Sequence, residues 1–260
     1  MDKINLSKIK AFFIDLDGTL YFKDKAIEGA TKLVDELRSR GLALRFLTNT
    51  DSRTNEFMKK RIENFGFNIN IDEVFTPVAA SLTFLKSQTG KSFFPLVADE
   101  IMCEYEKLNI NDINPDYVVI GDFKERVSYD MLNKAFRMIA EGAEIIALQK
   151  GKFFYSEEGK NLDTGAFVNM FEFAANKTAK VLGKPSEDFF KIALEELKLS
   201  PYEVAIVGDD ITTDILGAKQ LGAFSVLVKT GKYEQKAVEA SGIKPDLIID
   251  TISELPLWIK

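Results

Sequence analysis

The 260-residue chain has no histidine, one cysteine and one tryptophan. The missing histidines exclude Ser-His-Asp and Cys-His catalysis, histidine-ligated zinc and phosphohistidine intermediates, so acid-base work falls to carboxylates, lysine or tyrosine. The lone Cys103 cannot form an intramolecular disulfide and, with no thiol partner, is expected to fill space. No apolar run reaches membrane-spanning length and the opening MDKINLSKIK lacks a signal-peptide apolar region, which predicts a cytoplasmic protein without a membrane partner. Positive charge is scarce as well: 34 Lys and Arg face 40 Asp and Glu, for a formal net charge of −6. That balance argues against nucleic acid as a partner, so an anionic substrate has to meet a local cationic site. There is no Gly-rich nucleotide loop, internal repeat or low-complexity segment.

Hydrophobic residues make up 46% of the chain, enough for one large core or two modest ones. The apolar run Ala11–Ile14 predicts a buried strand. Ala30, Leu33, Val34 and Leu37 follow at helical spacing, with Gly41 as a C-terminal stop. Leu42–Leu47 reads as a second strand, and Asp51 or Ser52 stands where it would cap a helix carrying Phe57, Arg61, Ile62 and Phe65. Strand, helix, strand, helix is the βαβ rhythm of a parallel sheet. It returns as a helix over Phe189–Leu197, strand Val204–Val207, helix Thr213–Leu221, strand Phe224–Val228 and a run Leu247–Ile249. Both arms of the chain therefore belong to one sheet. Between them Val118–Ile120, Tyr129–Ala140, Glu144–Leu148, Phe153–Tyr155 and Phe167–Ala175 form a second α/β cluster. The division expected is 1–78 and 181–260 for the core and 79–180 for an inserted domain.

Three strand ends carry polar clusters. Asp15 and Asp17 end the first, Thr48, Asn49 and Thr50 the second, and Asp209 and Asp210 follow the third, with Asp214 just beyond. In an open parallel sheet these ends share the ligand-binding edge. Two carboxylates as close as Asp15 and Asp17 repel each other and resist joint burial, which suits a bound cation or a proton-transfer role; Asp-x-Asp-Gly equally suits an ordinary turn. The density of carboxylates along the edge fits a hard cation, Mg²⁺ above all. Lys184, between Gly183 and Pro185 ahead of a helix, is the candidate positive partner, against the plain alternative of a solvated lysine. Thr48 and Asn49 offer hydroxyl, amide and backbone N–H groups to phosphate oxygens, and would look the same in a simple capping turn.

Taken in order, Asp15-Leu16-Asp17-Gly18-Thr19-Leu20, Thr48-Asn49, Lys184 and Gly208-Asp209-Asp210 with Asp214 resemble the four motifs of the haloacid dehalogenase superfamily. Thr48 follows Asp15 by 33 positions, which leaves no room for a large insertion there, whereas Lys184 follows Asn49 by 135. The insertion thus lies where the C2-capped, NagD-type members carry theirs. Val74-Phe75-Thr76, Asn114–Gly121 and Leu227–Tyr233 extend the similarity across most of the chain. The resemblance implies a Rossmann-like, HAD-like core with an inserted C2-type α/β cap. It further implies an Mg²⁺-dependent phosphatase acting on small phosphorylated metabolites through an aspartyl-phosphate. Asp15 would be the nucleophile and Asp17 the acid-base. The Asp15 side chain, the Asp17 carbonyl and Asp209 would hold the metal, with Asp210 and Asp214 in support, and Thr48, Asn49 and Lys184 would hold the phosphoryl group. The resembling dehalogenases lack the second aspartate that Asp17 supplies, and the resembling phosphomutases carry their cap between the first two motifs. A noncatalytic phosphate-binding or regulatory protein on the same fold is the alternative from another class. The family also implies a homodimer as a candidate assembly and a cap loop that reads the leaving group, here Asn161–Ala166 with Lys150 nearby. Within it Asp163 would meet a cationic or hydroxyl-bearing substrate, or else be a solvated loop acid, and Thr164 is a further candidate for specificity.

Overall fold

A computed structural model describes residues 8–259. They form two compact units: one holds the chain up to Thr48, Asn55–Phe75 and the chain from Lys184 onward, the other Asn49–Thr54 and Thr76–Gly183.

The first unit is Rossmann-like. Its six-stranded parallel sheet runs in the order Leu247–Ile249, Phe224–Val228, Val204–Gly208, Ala11–Asp15, Ala43–Leu47, Val74–Phe75. The strand Ala11–Asp15 is continuous apolar sequence up to its last residue because helices cover both faces of such a sheet, and Ala11 to Ile14 are fully buried. The chain builds outward from this strand on one side, then returns to build on the other. Ala11–Asp15 is therefore the topological switch point, where ligands of such folds bind. The helix Ala30–Ser39 buries Ala30, Leu33, Val34 and Leu37, the four residues its spacing singled out.

Two local expectations are corrected. The next helix spans Asn55–Asn64, so neither Asp51 nor Ser52 caps it; it buries Met58 and Ile62 and leaves Phe57 exposed. Instead of one helix over Thr213–Leu221, a π-turn over Ile211–Ile215 leads into a short α-helix, Leu216–Leu221.

The second unit has a four-stranded parallel sheet in the order Lys180–Val181, Glu144–Ala147, Tyr117–Ile120, Phe93–Leu96. Helices Pro77–Ser87, Asp99–Tyr105, Tyr129–Ala140 and Thr164–Ala175 accompany it. The strand Phe93–Leu96 and the helices Pro77–Ser87 and Asp99–Tyr105 were not anticipated. Pro95 argues against a strand, yet Phe93–Leu96 is an edge strand, where a missing N–H is tolerated. Phe153–Ser156 pairs with Gly159–Leu162 in an exposed antiparallel hairpin. Cys103 does not fill space, since its side chain is exposed on the helix Asp99–Tyr105. Among the described residues no helix is long and apolar enough to cross a membrane.

Candidate active site

The register of the first sheet brings the polar strand ends together. Asp15 stands opposite Leu47, so Thr48 is one residue beyond it; Ile14 stands opposite Val207, so Asp209 also projects past the same edge. Lys184 is buried at 5% exposure and donates from Nζ to Asp15 Oδ1 at 2.5 Å and to Asp214 Oδ1 at 2.7 Å. A solvated surface lysine is thereby ruled out. Thr19 Oγ1 donates to the other oxygen of Asp15 at 3.2 Å.

Asp209 is held from the opposite side. The backbone N–H of Lys232 donates to its Oδ2 at 2.6 Å, and Thr230 Oγ1 donates to the carbonyl of Gly18. Gly18, at φ +93°, and Gly231 close on this carboxylate so tightly that a Cβ on either would lie 2.0 Å from Asp209 Oδ2. Glycine is required at both positions for the chain to approach Asp209 at all. The Lys232 ammonium lies 3.5 Å from Asp210. Gly231 and Lys232 were visible only as part of the similar run Leu227–Tyr233, with no role attached; their contact depends on a loop course that spacing does not encode.

Asp15, Asp209 and Asp214 each direct a carboxylate oxygen to within 4.8 Å of the others, and all three are buried. One ammonium cannot balance three carboxylates, so the set has the chemistry of a divalent-cation site with oxygen ligands. The strain shows in the acids. Burial and the charge of Asp15 push Asp209 up, and burial pushes Asp214 up even though Lys184 pulls the other way. Burial works against the Lys184 charge, but Asp15 and Asp214 outweigh it and keep the ammonium well above the usual lysine range. Asp17 is raised by its own burial and by Asp15, opposed by Arg61 and Lys232.

Asp210 turns out to be a capping residue. Its carboxylate accepts from Thr212 N at 2.8 Å and Thr212 Oγ1 at 2.6 Å at the start of the π-turn, and these bonds outweigh burial to hold it below the ordinary carboxylate range. Asn49 belongs to the second unit, as do Lys150, Asp163 and Thr164. Lys150 pairs with Glu172 at 2.6 Å. Asp163 caps the helix Thr164–Ala175, accepting from Thr164 N at 2.8 Å and from Gln149 Nε2 at 2.6 Å. It is thus a hydrogen-bonded helix cap and not a freely solvated loop acid.

Fold and edge together define a Rossmann-like protein built around an acidic, lysine-buttressed centre. Residues 12–111 match the family described as Haloacid dehalogenase-like hydrolase, and residues 181–255 match the family described as HAD-hydrolase-like. The chain is 35% identical over 237 residues to haloacid dehalogenase-like hydrolase domain-containing protein 2 of Mus musculus, covering 91% of this chain and 90% of that one. It is 34% identical over 254 residues to the phospholysine phosphohistidine inorganic pyrophosphate phosphatase of Danio rerio, covering 95% and 93%. Among solved structures it is similar to NagD from E. coli K-12, with a TM-score of 0.87, 28% identity and coverage of 95% and 98%. The chain belongs to the haloacid dehalogenase-like hydrolase family, and its similarity to NagD agrees with the type that the motif spacing implies.

Proposed function

We propose that this hydrolase is a phosphatase that cleaves small phosphomonoesters through an aspartyl-phosphate on Asp15. The observation that carries the reading is the buried Asp15–Lys184–Asp214 ion cluster beside Asp209 at the switch-point edge. An Asp15 carboxylate oxygen attacks phosphorus, the bond to the leaving oxygen breaks, and Asp17 gives that oxygen its proton. As a carboxylate, Asp17 then takes a proton from the water that attacks the aspartyl-phosphate, releasing inorganic phosphate and restoring Asp15. Thr48, Asn49 and Lys184 hold the phosphoryl oxygens as charge spreads over them. The Asp15 side chain, the Asp17 carbonyl and Asp209 would hold Mg²⁺, with the Asp214 carboxylate close to the same point. When bound, the ion offsets repulsion between an anionic nucleophile and an anionic phosphate. The inserted unit, a C2-type cap in this reading, selects the leaving group.

The test is release of phosphate from p-nitrophenyl phosphate in Mg²⁺, which Asp15→Asn should abolish. Turnover surviving that change would overturn the assignment, and tight ester binding without release by the wild type would favour the noncatalytic alternative. The name of the zebrafish relative places phospholysine, phosphohistidine and pyrophosphate beside sugar and nucleoside phosphates in the substrate panel.

A further inference from the structure

Asp51 is a buried acid that the reaction above does not use. It is 5% exposed, and its Oδ2 accepts the Thr164 hydroxyl at 2.6 Å across 113 positions of sequence. Thr164, itself 3% exposed, is the first residue of the helix Thr164–Ala175. A continuous set of bonds runs on from there. Thr164 N donates to Asp163 Oδ1, Gln149 Nε2 donates to the same oxygen, and Gly151 N donates to Gln149 Oε1. Gly165 N closes the set on Gly151 O at 2.9 Å.

The packing around this set leaves no slack. A Cβ on Gly165 would lie 2.5 Å from Gly151 O, and one on Gly183 would lie 2.4 Å from Leu148 O. That same Gly183 position is 3.1 Å from both Asn49 Oδ1 and the Gln149 Cβ. The chain carrying Asn49, the loop Leu148–Gly151 and the residue preceding Lys184 therefore pack together. Arg53, from the same short stretch as Asn49 and Asp51, pairs with Glu100. Asn49–Thr54 continues directly from the strand that ends beside Thr48, and its course has to be specified by such side-chain contacts, because it has no helix or strand of its own.

We propose that Asp51 is a positioning residue for phosphate recognition: its bond to Thr164 holds the stretch that presents Asn49 against Gly183 and the loop Leu148–Gly151. This rests on the reading of Asn49 and Lys184 as phosphate-binding residues. Thr164, a candidate for reading the leaving group, then acts on the phosphate end of the substrate instead, through Asp51.

The experiment compares Asp51→Ala, Thr164→Val, the double variant and Thr164→Ser. Steady-state kinetics with p-nitrophenyl phosphate in Mg²⁺ are run beside calorimetric binding of inorganic phosphate to the same proteins. Each of the first two changes should raise KM and the phosphate Kd about five- to tenfold while kcat moves less than about threefold. The double variant should be no worse than either single one, because both remove one shared bond, and Thr164→Ser should restore wild-type values. Unchanged KM and Kd in a folded Thr164→Val protein, or additive losses in the double variant, would overturn the proposal. Thr164→Val keeps the side-chain shape, so it decides the matter even where Asp51→Ala does not fold. A wild type that binds phosphate but releases none from the ester would sink the phosphatase reading alone, leaving the Kd comparison to decide on Asp51. A wild type that binds no phosphate would remove both.

Discussion

Lys184 and Asp51 are both buried titratable groups, and they differ in what offsets their burial. The Lys184 ammonium sits between two carboxylates, so replacing it by Met leaves Asp15 and Asp214 facing each other without their shared cation. Removing one partner of a buried ion cluster costs about 3–5 kcal/mol. Lys184→Met should accordingly lose stability of that order in urea denaturation as well as activity. Asp51 has no cationic partner in its bond to Thr164. Burial pushes its carboxyl up to about 7, the Thr164 hydroxyl pulls the other way, and the charges of Asp163 and Asp122 add to the rise. The folded state thus keeps a proton that the unfolded chain releases near pH 4, so this contribution to stability is complete below that pH and is lost as pH rises through about 7. Asp51→Asn should flatten the fall in unfolding free energy between pH 5 and 8, by a few kcal/mol at most. Denaturation of both proteins at the two pH values checks it. Lys184 could be picked out from sequence because Gly183, Pro185 and a following helix framed it. The place of Asp51 could not, since half of its contact lies 113 positions away and a capping role looked adequate locally.

The strands of the first sheet were legible because each is an apolar run that stops on polar residues, and strands buried on both faces have no other pattern to show. That logic also delivered Asp15, Thr48 and Asp209 to one edge. It failed where an element's reason for existing lies outside itself. Phe93–Leu96 holds a proline that only an edge position excuses, and Gly159–Leu162 has no alternation and exists through pairing with Phe153–Ser156. The π-turn Ile211–Ile215 is another such case, because its wide turn sets Asp214 against the end of Val204–Gly208. A Cβ on Gly208 would lie 2.3 Å from the Asp214 carboxyl carbon. Gly208→Ala should therefore displace Asp214 from Lys184 and cut kcat about tenfold or more, with most of the fold intact. Far-UV circular dichroism beside steady-state kinetics separates that outcome from unfolding.

Each of the two units is built on one parallel sheet with a two-stranded antiparallel pair besides, and the 135 positions between Asn49 and Lys184 leave room for the second unit. Short stretches near the crossings were harder to place, because Asn49–Thr54 follows a strand of one unit and makes its contacts in the other. A cation held by Asp15 and Asp209 would bind the folded protein alone, so Mg²⁺ should raise the melting temperature in a concentration-dependent way. The gain expected is about 2.7 kcal/mol at a hundred times its Kd. Chelator-treated protein should lose that increment, and a melting curve indifferent to Mg²⁺ would count against the proposed ligand set.

The order of strands also sets a timetable. Ala11–Asp15 is the centre of its sheet, yet Val204–Gly208, its neighbour on one side, is synthesised after the whole inserted unit. Asp15 leaves the ribosome 169 residues before the lysine that neutralises it. Until Val204–Gly208 is made, one flank of an almost wholly apolar strand lies open, a hazard for aggregation that the growing chain carries through most of its translation. Neither the sheet around Ala11–Asp15 nor the ion pair of Asp15 with Lys184 can therefore be complete before the inserted unit has been made.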